Sequence, residues 1–245
     1  MVAASVFAVS PSSTSAQTQS DEASALAKRV SALEDEIKAI REQLDSIRSL
    51  SLPKQNVSAL NAELHVDGAS IIGEQTAKLI VVEFSDYECP FCKISFNRII
   101  PELTTQYIRT GKVRYLVRDF PLHPGALKAA EAAHCAGDQG QFWLMHDRMM
   151  SSSDALDRKS LSVDAQDFDL DMASFDKCLD LGKYSREVQE EMAQGMMAGV
   201  AGTPTFFLGT IDAKGQTVKI VQKIDGAVRF ATLRRAIDGL LASQK

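Results

Sequence analysis

The chain has 245 residues, of which 45% are hydrophobic, and a formal net charge of -5. This length can bury a sizeable core in one or two domains, and an acidic chain without a basic cluster does not match a nucleic-acid-binding protein. No apolar run approaches the roughly 20 residues that a membrane-spanning helix needs. The composition therefore predicts a folded protein that neither binds nucleic acid nor spans a bilayer.

Residues 1–20 resemble the leader of an exported protein. Val2 to Val9 is apolar, and Thr14-Ser15-Ala16 has the small residues of a cleavage site, but no Lys or Arg occurs before Lys28. Two interpretations remain open, a signal peptide whose basic start is missing and a simple Ser/Thr-rich leader. We favour export to the periplasm or cell envelope, because the cysteine motif described below suits an oxidising compartment.

A heptad pattern predicts a coiled-coil helix over residues 22–52. Its seam, residues 26–47, has seven apolar residues spaced alternately by four and three: Leu26, Val30, Leu33, Ile37, Ile40, Leu44 and Ile47. In a parallel coil, Arg29 would face Glu34 of the second helix, and Glu36 would face Arg41. These attractions favour a parallel homo-oligomer, either a dimer or a trimer. The alternative is an amphipathic helix that packs against its own domain.

Strand and helix patterns alternate after a linker at 53–68, which itself contains a possible short strand. Leu79 to Phe84 is a β-branched apolar run typical of a buried central strand, and Lys93 to Thr110 has the periodicity of an amphipathic helix. Val113 to Val117 is a second strand, parallel to the first because a helical crossover joins them. These residues therefore predict a βαβ unit.

The second half of the chain is first helical and then mixed. Helical patterns run from His123 to Val200, with breaks near residues 137–140, 151–154 and 182. Two antiparallel strands follow, Phe206 to Leu208 and Thr217 to Ile224, and then a closing helix from Ala227 to Ala242.

These elements predict an α/β fold with an inserted all-helical subdomain. Residues 69–122 would supply a βαβ half and residues 200–245 a ββα half of one domain. Residues 123–199 would form the insert, because strand patterns occur only before and after this helical block.

Cys89 and Cys92 are the candidate catalytic residues. The motif Cys-Pro-Phe-Cys lies at the turn from a strand to a helix, where the first sulfur meets unpaired N–H groups at the positive end of the helix dipole. A thiolate is stabilised there, so Cys89 is predicted to be the nucleophile and Cys92 the shielded resolving thiol. Pro90 suits the first turn of the helix. This motif beside a βαβ unit indicates redox activity.

Three other interpretations of the pair are weaker. A zinc site needs two further ligands, yet Cys135 and Cys178 are not spaced as a second pair, and the histidines lack metal-ligand spacing. A disulfide across two residues closes too small a loop to act as a staple. A bystander pair leaves the position at a helix start unexplained. No metal or other cofactor is therefore predicted.

Three segments carry a family resemblance: EFSDYECPFC, AAEAAHCAGDQGQFWLMHD and GVAGTPTFFLG. Together they resemble the DsbA-like branch of the thioredoxin superfamily, the thiol-disulfide oxidoreductases of the bacterial cell envelope. The resemblance covers about residues 69 to 243 and leaves the predicted coiled-coil stalk outside. It implies a thioredoxin fold with an inserted helical domain, in agreement with the element pattern.

The resemblance also implies roles for individual residues. Cys89 corresponds to the exposed attacking cysteine and Cys92 to its buried partner. Thr203-Pro204 corresponds to a loop whose cis-proline faces the disulfide and whose backbone would pair with a substrate peptide; an ordinary trans-proline turn is the alternative. Glu83 corresponds to a buried acid that moves protons to and from Cys92, although strand alternation could instead direct it to solvent.

Phe91 departs from the pattern of the most strongly oxidising members, which have His at this position. Its ring offers apolar area to a substrate but no hydrogen bond to the thiolate, so a milder oxidising power is predicted. Related sequences often carry an extra cysteine pair in the helical domain. Cys135 and Cys178 would then close a loop of about 44 residues, the alternative being two buried thiols.

The sequence thus predicts an exported thiol:disulfide oxidoreductase that forms disulfides in protein substrates carrying thiols. A redox partner, such as a membrane oxidase, would restore the oxidised pair. Two alternatives remain. An oligomeric isomerase or reductase would use the stalk to gather several catalytic domains around one client. An envelope chaperone would hold Cu(I) between Cys89 and Cys92.

Overall fold

The computed structural model describes residues 13–51 and 62–243, with side chains for 24–43 and 62–243. The chain divides into two compact units, helix α1 and the folded region that follows it. None of the described helices is both long and apolar enough to cross a membrane. Most of the predicted leader, residues 1–12, lies outside the described residues, and the rest belongs to α1.

Helix α1 runs from Ser13 to Ser51, so it begins earlier than the predicted 22–52. It ends two residues before Pro53, whose ring disfavours helical backbone in the residue before it. The five seam side chains that the structure describes are all exposed, between 47% and 61%: Leu26, Val30, Leu33, Ile37 and Ile40. The side chains of Leu44 and Ile47 lie outside the described part. The described part of this apolar stripe is therefore exposed on helix α1.

The folded region is built on a five-stranded sheet in the order β1-β5-β4-β2-β3. The strands are β1 (Glu63–His65), β2 (Leu79–Ser85), β3 (Val113–Asp119), β4 (Thr205–Ile211) and β5 (Thr217–Asp225). Strands β2 and β3 pair in parallel, and the other pairs are antiparallel. The predicted βαβ and ββα halves are therefore confirmed. Strand β1 lies within the predicted linker and pairs with β5.

Strand β2 occupies the centre of the sheet, and all seven of its residues are buried. Its odd-numbered residues Leu79 and Val81 pack against helices α2 (Pro90–Leu103) and α8 (Phe230–Ser243) on one face. Ile80, Val82 and Phe84 belong to a second core on the other face. A continuous apolar run rather than an alternating pattern is typical of such a doubly covered strand.

Helix α2 begins at Pro90, three residues before its predicted start, because the proline occupies the first turn, where no N–H is needed. Pro101 lies inside the helix and lacks an N–H for the backbone ladder. The chain then forms a π-helical turn at Thr104–Ile108 before β3. The predicted helix to Thr110 therefore exists as an α-helix followed by a π-turn.

Five helices form the insert between β3 and β4: α3 (Ala126–Gly137), α4 (Phe142–Ser151), α5 (Arg158–Asp167), α6 (Met172–Asp180) and α7 (Ser185–Met197). The three predicted breaks are present. A fourth break, between α5 and α6, was not predicted; Asp169 there has a positive φ of 53°, and Asp171 caps α6 through its side chain.

The insert packs closely on the sheet and on the cysteine turn. Gly195 of α7 lies so near the sheet that a Cβ there would be 2.7 Å from the ring of Phe84. The core of the insert also includes Tyr87, Cys89 and Cys92. The helical subdomain therefore supplies one wall around the cysteine pair.

Cys135 of α3 and Cys178 of α6 form a disulfide with their Cα atoms 5.9 Å apart. The bridge thus joins two helices that are 43 residues apart in sequence, and the alternative of two free thiols is wrong. Cross-linking the unfolded chain over this distance lowers its conformational entropy.

Replacing both bridged cysteines with alanine should destabilise the protein. The chain-entropy model gives a loss of about 4 kcal/mol in the free energy of unfolding. Urea denaturation of C135A/C178A and of the bridged wild type, both without reductant, measures it. Equal urea midpoints for the two proteins would contradict a stabilising role of the bridge.

Candidate active site

Cys89 stands at the N-cap of α2, at the turn that follows strand β2. Its backbone is extended, with φ -70° and ψ 118°, and Pro90 occupies the first helical position. The Cys89 N–H donates to the backbone oxygen and to Oδ1 of Asp86, each at 3.1 Å. The predicted placement of the first sulfur at a helix start is therefore confirmed.

The two cysteines of the motif are free thiols and both are buried. Cys92 is fully covered, and Cys89 is only 4% exposed, so the expectation of an exposed Cys89 is wrong. The cover comes in part from the loop before β4, since the Cys89 thiol donates to the backbone oxygen of Thr203 at 3.5 Å. By contrast, Phe91 is 60% exposed, and Pro90 is also exposed.

The peptide bond between Thr203 and Pro204 is cis, so the alternative of a trans-proline turn is wrong. Pro204 is buried, and its backbone oxygen accepts from the N–H of Gly226 at 2.8 Å. The hydroxyl of Thr205 donates to the oxygen of Gly202 at 2.7 Å. These bonds fix the loop on both sides of the cis bond and hold the Thr203 carbonyl against Cys89.

Glu83 is buried in the middle of β2 rather than directed to solvent. Buried and exposed residues do not alternate along β2, because both faces of the strand are covered. The hydroxyl of Tyr115, on the neighbouring strand β3, donates to Glu83 Oε2 at 2.7 Å. Burial raises the pKa of Glu83 to about 7, although the hydroxyls of Tyr115 and Ser85 act in the opposite direction. This carboxyl can therefore gain or lose a proton near neutral pH.

The Cys92 thiol shares its surroundings with Glu83. Burial, and next the charge of Glu83, raise the pKa of Cys92 well above its usual range, while the hydroxyls of Thr203 and Ser85 lower it in part. Two buried groups of this kind do not readily carry negative charge together. A thiolate at Cys92 therefore favours a protonated Glu83.

A family model described as thioredoxin matches residues 65–238. The chain belongs to the thioredoxin family. Among solved structures, alpha-DsbA1 of Wolbachia pipientis superposes with a TM-score of 0.64 at 23% identity, covering 74% of this chain and 94% of that one. This thioredoxin-family protein therefore has the DsbA-like form of the fold, with its helical insert.

Curated relatives include proteins of different lengths. The Na⁺/H⁺ antiporter NhaA 1 of Salinispora arenicola is 34% identical over 164 residues, which are 66% of this chain and 24% of the antiporter. A protein of Rickettsia bellii, named as a candidate protein-disulfide oxidoreductase, is 28% identical over 165 residues, 64% of each chain. The thioredoxin-family chain thus spans about a quarter of the length of the antiporter relatives.

Asp86 organises the cysteine turn of this thioredoxin-family protein, and the sequence analysis did not single it out. Its Oδ1 accepts from the N–H groups of Glu88 and Cys89 at 2.8 and 3.1 Å. Its Oδ2 accepts from the backbone N–H groups of Leu122 and His123 at 2.6 and 3.0 Å. Asp86 therefore ties the turn to the loop after β3. An Asp in a turn is a sequence signal for such bonds, because its side chain readily accepts from the N–H groups two or three residues on.

A buried ion-pair network lies where β3, α3 and α7 meet. Arg118 contacts Glu191, His134 Nε2 lies 2.9 Å from Asp119 Oδ2, and the Asp119 N–H donates to Glu191 at 2.7 Å. Donor atoms of Asp119, His134 and Glu191 lie within 4.8 Å of one another, as in a metal site. Each carboxylate already has a cationic partner, however, when His134 is protonated. We therefore interpret the cluster as a structural network.

The charge of His134 should make the stability of the protein depend on pH. Burial alone would lower the pKa of His134, but its hydrogen bond to Asp119 and the nearby carboxylates raise it from 6.5 to about 9. A raised pKa of this kind contributes stability below about pH 6.5 that is lost as the pH rises through 9. The full contribution is about 3 kcal/mol.

H134Q should therefore lose stability relative to the wild type at pH 6.5 and much less at pH 10. Urea denaturation at both pH values measures the difference. H65Q is the control. The ring of His65 is exposed, so its removal should not change the free energy of unfolding at either pH. A wild-type advantage over H134Q that is equal at the two pH values would contradict the role of the charge.

Proposed function

We propose that this protein is a thiol:disulfide oxidoreductase that exchanges disulfides with protein thiols through Cys89 and Cys92. The observation that carries the proposal is the position of Cys89, which stands at the N-cap of α2 with its thiol against the carbonyl of Thr203 in a cis-proline loop. A nucleophilic thiolate is favoured at a helix start. Cys92, one turn further and fully buried, is suited to resolve mixed disulfides.

The proposed reaction starts from an oxidised Cys89–Cys92 pair. A substrate thiolate attacks Cys89 Sγ and forms a substrate–Cys89 disulfide, while the bond between the two cysteines breaks and Cys92 leaves with the electron pair. Cys92 then takes the proton of Glu83. A second substrate thiolate attacks the substrate sulfur, and Cys89 leaves as a thiolate. The substrate loses two electrons and gains a disulfide, and the enzyme retains two reduced sulfurs.

Glu83 acts in this scheme as the acid for Cys92 and, in the reverse direction, as its base. A general acid or base works best when its pKa lies near the working pH. Burial brings the pKa of Glu83 to about 7, and the hydrogen bond from Tyr115 holds one of its oxygens in place. By donating its proton, the Glu83 carboxyl prevents a lasting negative charge on the buried Cys92 sulfur.

Substrate binding is assigned to the exposed rim of the cysteine turn and to the cis-proline loop. Pro90 and Phe91 offer apolar surface beside Cys89. The backbone of Thr203, held next to the Cys89 sulfur by Pro204, would pair with an extended peptide. Recognition through the main chain accepts many sequences, so we expect broad specificity for unfolded or partly folded proteins.

The direction of electron flow follows from how strongly the Cys89 thiolate is stabilised. Phe91 gives that thiolate no hydrogen bond, and we therefore propose an oxidant of intermediate strength that acts in disulfide formation. Isomerase or reductase activity is the second candidate. It is favoured by the exposed seam of α1, because an oligomer gathers several catalytic domains around one client.

We propose that a second copy of the chain covers the seam of α1. An isolated helix exposed on all sides is only marginally stable in water, and tertiary or quaternary packing usually stabilises it. Every described side chain from 24 to 43 is exposed. Parallel pairing places Arg29 opposite Glu34, and Glu36 opposite Arg41, so that unlike charges flank the seam.

An extracytoplasmic location is proposed on two grounds. Residues 2–9 have the apolar character of an export signal, and the Cys135–Cys178 bridge suits an oxidising compartment, where disulfides persist. Turnover then requires a partner that removes two electrons from the reduced pair, such as a membrane oxidase.

The function is tested with the oxidised protein and a reduced peptide that contains two cysteines. We expect the peptide to acquire a disulfide while Cys89 and Cys92 become thiols, as followed by mass spectrometry after alkylation. C89A/C92A is the control and should not react. Peptide oxidation by the wild type no faster than by C89A/C92A would contradict the proposal. Tight stoichiometric binding of Cu(I) without exchange would instead support the copper chaperone.

A further inference from the structure

Asp86 carries a buried negative charge beside the nucleophilic cysteine. Its side chain is fully buried, and each of its oxygens accepts from two backbone N–H groups. Oδ1 accepts from Glu88 and Cys89, and Oδ2 accepts from Leu122 and His123. These groups only donate, so none of them can accept a carboxyl proton. Asp86 is therefore a carboxylate.

The imidazole of His123 makes a further contact with this carboxylate. Its Nδ1 lies 2.9 Å from Asp86 Oδ2. Because a carboxylate oxygen only accepts, Nδ1 carries a proton and donates a hydrogen bond, whether the ring is neutral or charged. The ring is 42% exposed, and it approaches the oxygen that does not bind the N–H of Cys89. His123 therefore attracts the Asp86 charge away from the cysteine.

The sulfur of Cys89 lies within range of the Asp86 charge. The Cys89 N–H donates to Asp86 Oδ1 at 3.1 Å. The sulfur is three covalent bonds from that nitrogen, so it is at most roughly 7 Å from the same oxygen. A like charge at such a distance disfavours a thiolate, and salt screens a buried charge only weakly. A donor that withdraws charge from Asp86 consequently stabilises the thiolate of Cys89.

Two other charged side chains flank the motif, and both are bound elsewhere. Glu88 Oε2 accepts from the N–H of Gly125 at 2.7 Å, at the start of α3. Lys93 Nζ donates to the backbone oxygen of Ser152 at the end of α4. Within the part of the chain that the structure describes, Asp86 is thus the charged side chain bonded directly to Cys89.

We propose that His123 is a positioning residue that raises the oxidising power of the Cys89/Cys92 pair through Asp86. The inference rests on the proposed function and extends it to the loop after β3. The ring donates to Asp86, less negative charge acts on Cys89, and the thiolate of the reduced pair is stabilised. A more stable reduced form makes the disulfide a stronger oxidant. No proton or electron passes to His123 in this role.

The test replaces the imidazole with a ring that cannot donate. H123F keeps a planar ring and the two backbone N–H groups that bind Asp86 Oδ2, but it loses the Nδ1 donor. Each oxidised protein is equilibrated at pH 7 in glutathione buffers of graded composition, and the reduced fraction of Cys89 and Cys92 is read by mass spectrometry after alkylation. We expect the equilibrium constant for reduction of H123F to be at least threefold below that of the wild type. A threefold change is about 14 mV in potential.

Two matched variants separate the hydrogen bond from other effects of the substitution. H123N keeps a donor, because the amide nitrogen of Asn is bonded to Cγ as Nδ1 of His is. Its equilibrium constant should lie closer to that of the wild type than to that of H123F. H65F makes the same change of side chain at an exposed histidine of β1, outside the cysteine turn. Its equilibrium constant should differ from that of the wild type by less than threefold.

Three results would overturn the role of His123. These are a smaller or opposite change in H123F, an equilibrium constant of H123N closer to that of H123F, and a change of threefold or more in H65F. A different result, a wild type in which Cys89 and Cys92 form no disulfide in any buffer, would contradict the proposed function and this role with it.

Discussion

C92S should trap a covalent complex with a disulfide-containing substrate, whereas C89S should form none. In the reduced protein Cys89 attacks the substrate disulfide, and Cys92 then displaces the substrate by attacking Cys89. Without the Cys92 sulfur the mixed disulfide at Cys89 persists. Without the Cys89 sulfur the first step is lost, and we expect exchange to fall by at least about a thousandfold, as for other removed nucleophiles.

The trap is measured by incubating each variant with insulin and separating the products without reductant. The complex of C92S should gain the mass of one insulin molecule, because a single attack leaves the two insulin chains joined by their other interchain disulfide, and dithiothreitol should release the insulin. C89S is the matched control, since it keeps a cysteine that is fully buried. An equal yield of complex from C89S, or release from C92S at the wild-type rate, would show that the roles of the two cysteines are assigned wrongly.

V30D/I37D in helix α1 should convert the protein from an oligomer to a monomer. Both residues occupy a positions of the seam and are about half exposed in the single chain. In a parallel coil their side chains would be buried in every copy, where an unpaired carboxylate is costly. The wild type should therefore have two or three times the chain mass of 26.7 kDa, and the variant that mass itself.

Sedimentation velocity at micromolar concentrations measures the masses. S31D is the control, because Ser31 lies one position past the seam and is already exposed, so it should keep the wild-type mass. A monomeric wild type would contradict the coiled coil, and so would an unchanged mass of V30D/I37D. The rate at which glutathione reduces the Cys89–Cys92 disulfide should be equal in all three proteins, since the seam lies outside the catalytic unit.

The local pattern of apolar and polar residues was sufficient to predict those elements of the fold that are determined by residues close together in the sequence. The apolar run at 79–84 and the helical period after Cys92 placed β2 and α2, and the Cys-Pro-Phe-Cys motif placed Cys89 at the start of a helix. Each is a property of about ten neighbouring residues. The observed helix boundary differs from the predicted one where a single residue sets it. Pro90, for example, starts α2 three residues earlier than predicted.

Contacts between distant residues account for what the sequence did not predict. Strand alternation could not show that Glu83 is buried, because both faces of β2 are covered, one of them by helix α8 near the far end of the chain. The exposure expected for Cys89 was wrong for a similar reason, since the Thr203 loop lies against it. Asp86 escaped notice because two of its partners, the N–H groups of Leu122 and His123, lie in the loop after β3.

The reduction potential of the Cys89/Cys92 pair tests the central claim most directly. The protein is equilibrated in glutathione buffers of graded composition, and the redox state of each cysteine is read by mass spectrometry after alkylation. We expect one two-electron transition that involves Cys89 and Cys92 together, at a potential above about -270 mV, thioredoxin's, and below about -120 mV, the strong oxidant DsbA's. Cys135 and Cys178 should stay bridged through that range. Two cysteines that remain separate thiols in every buffer, with no paired transition, would contradict the account.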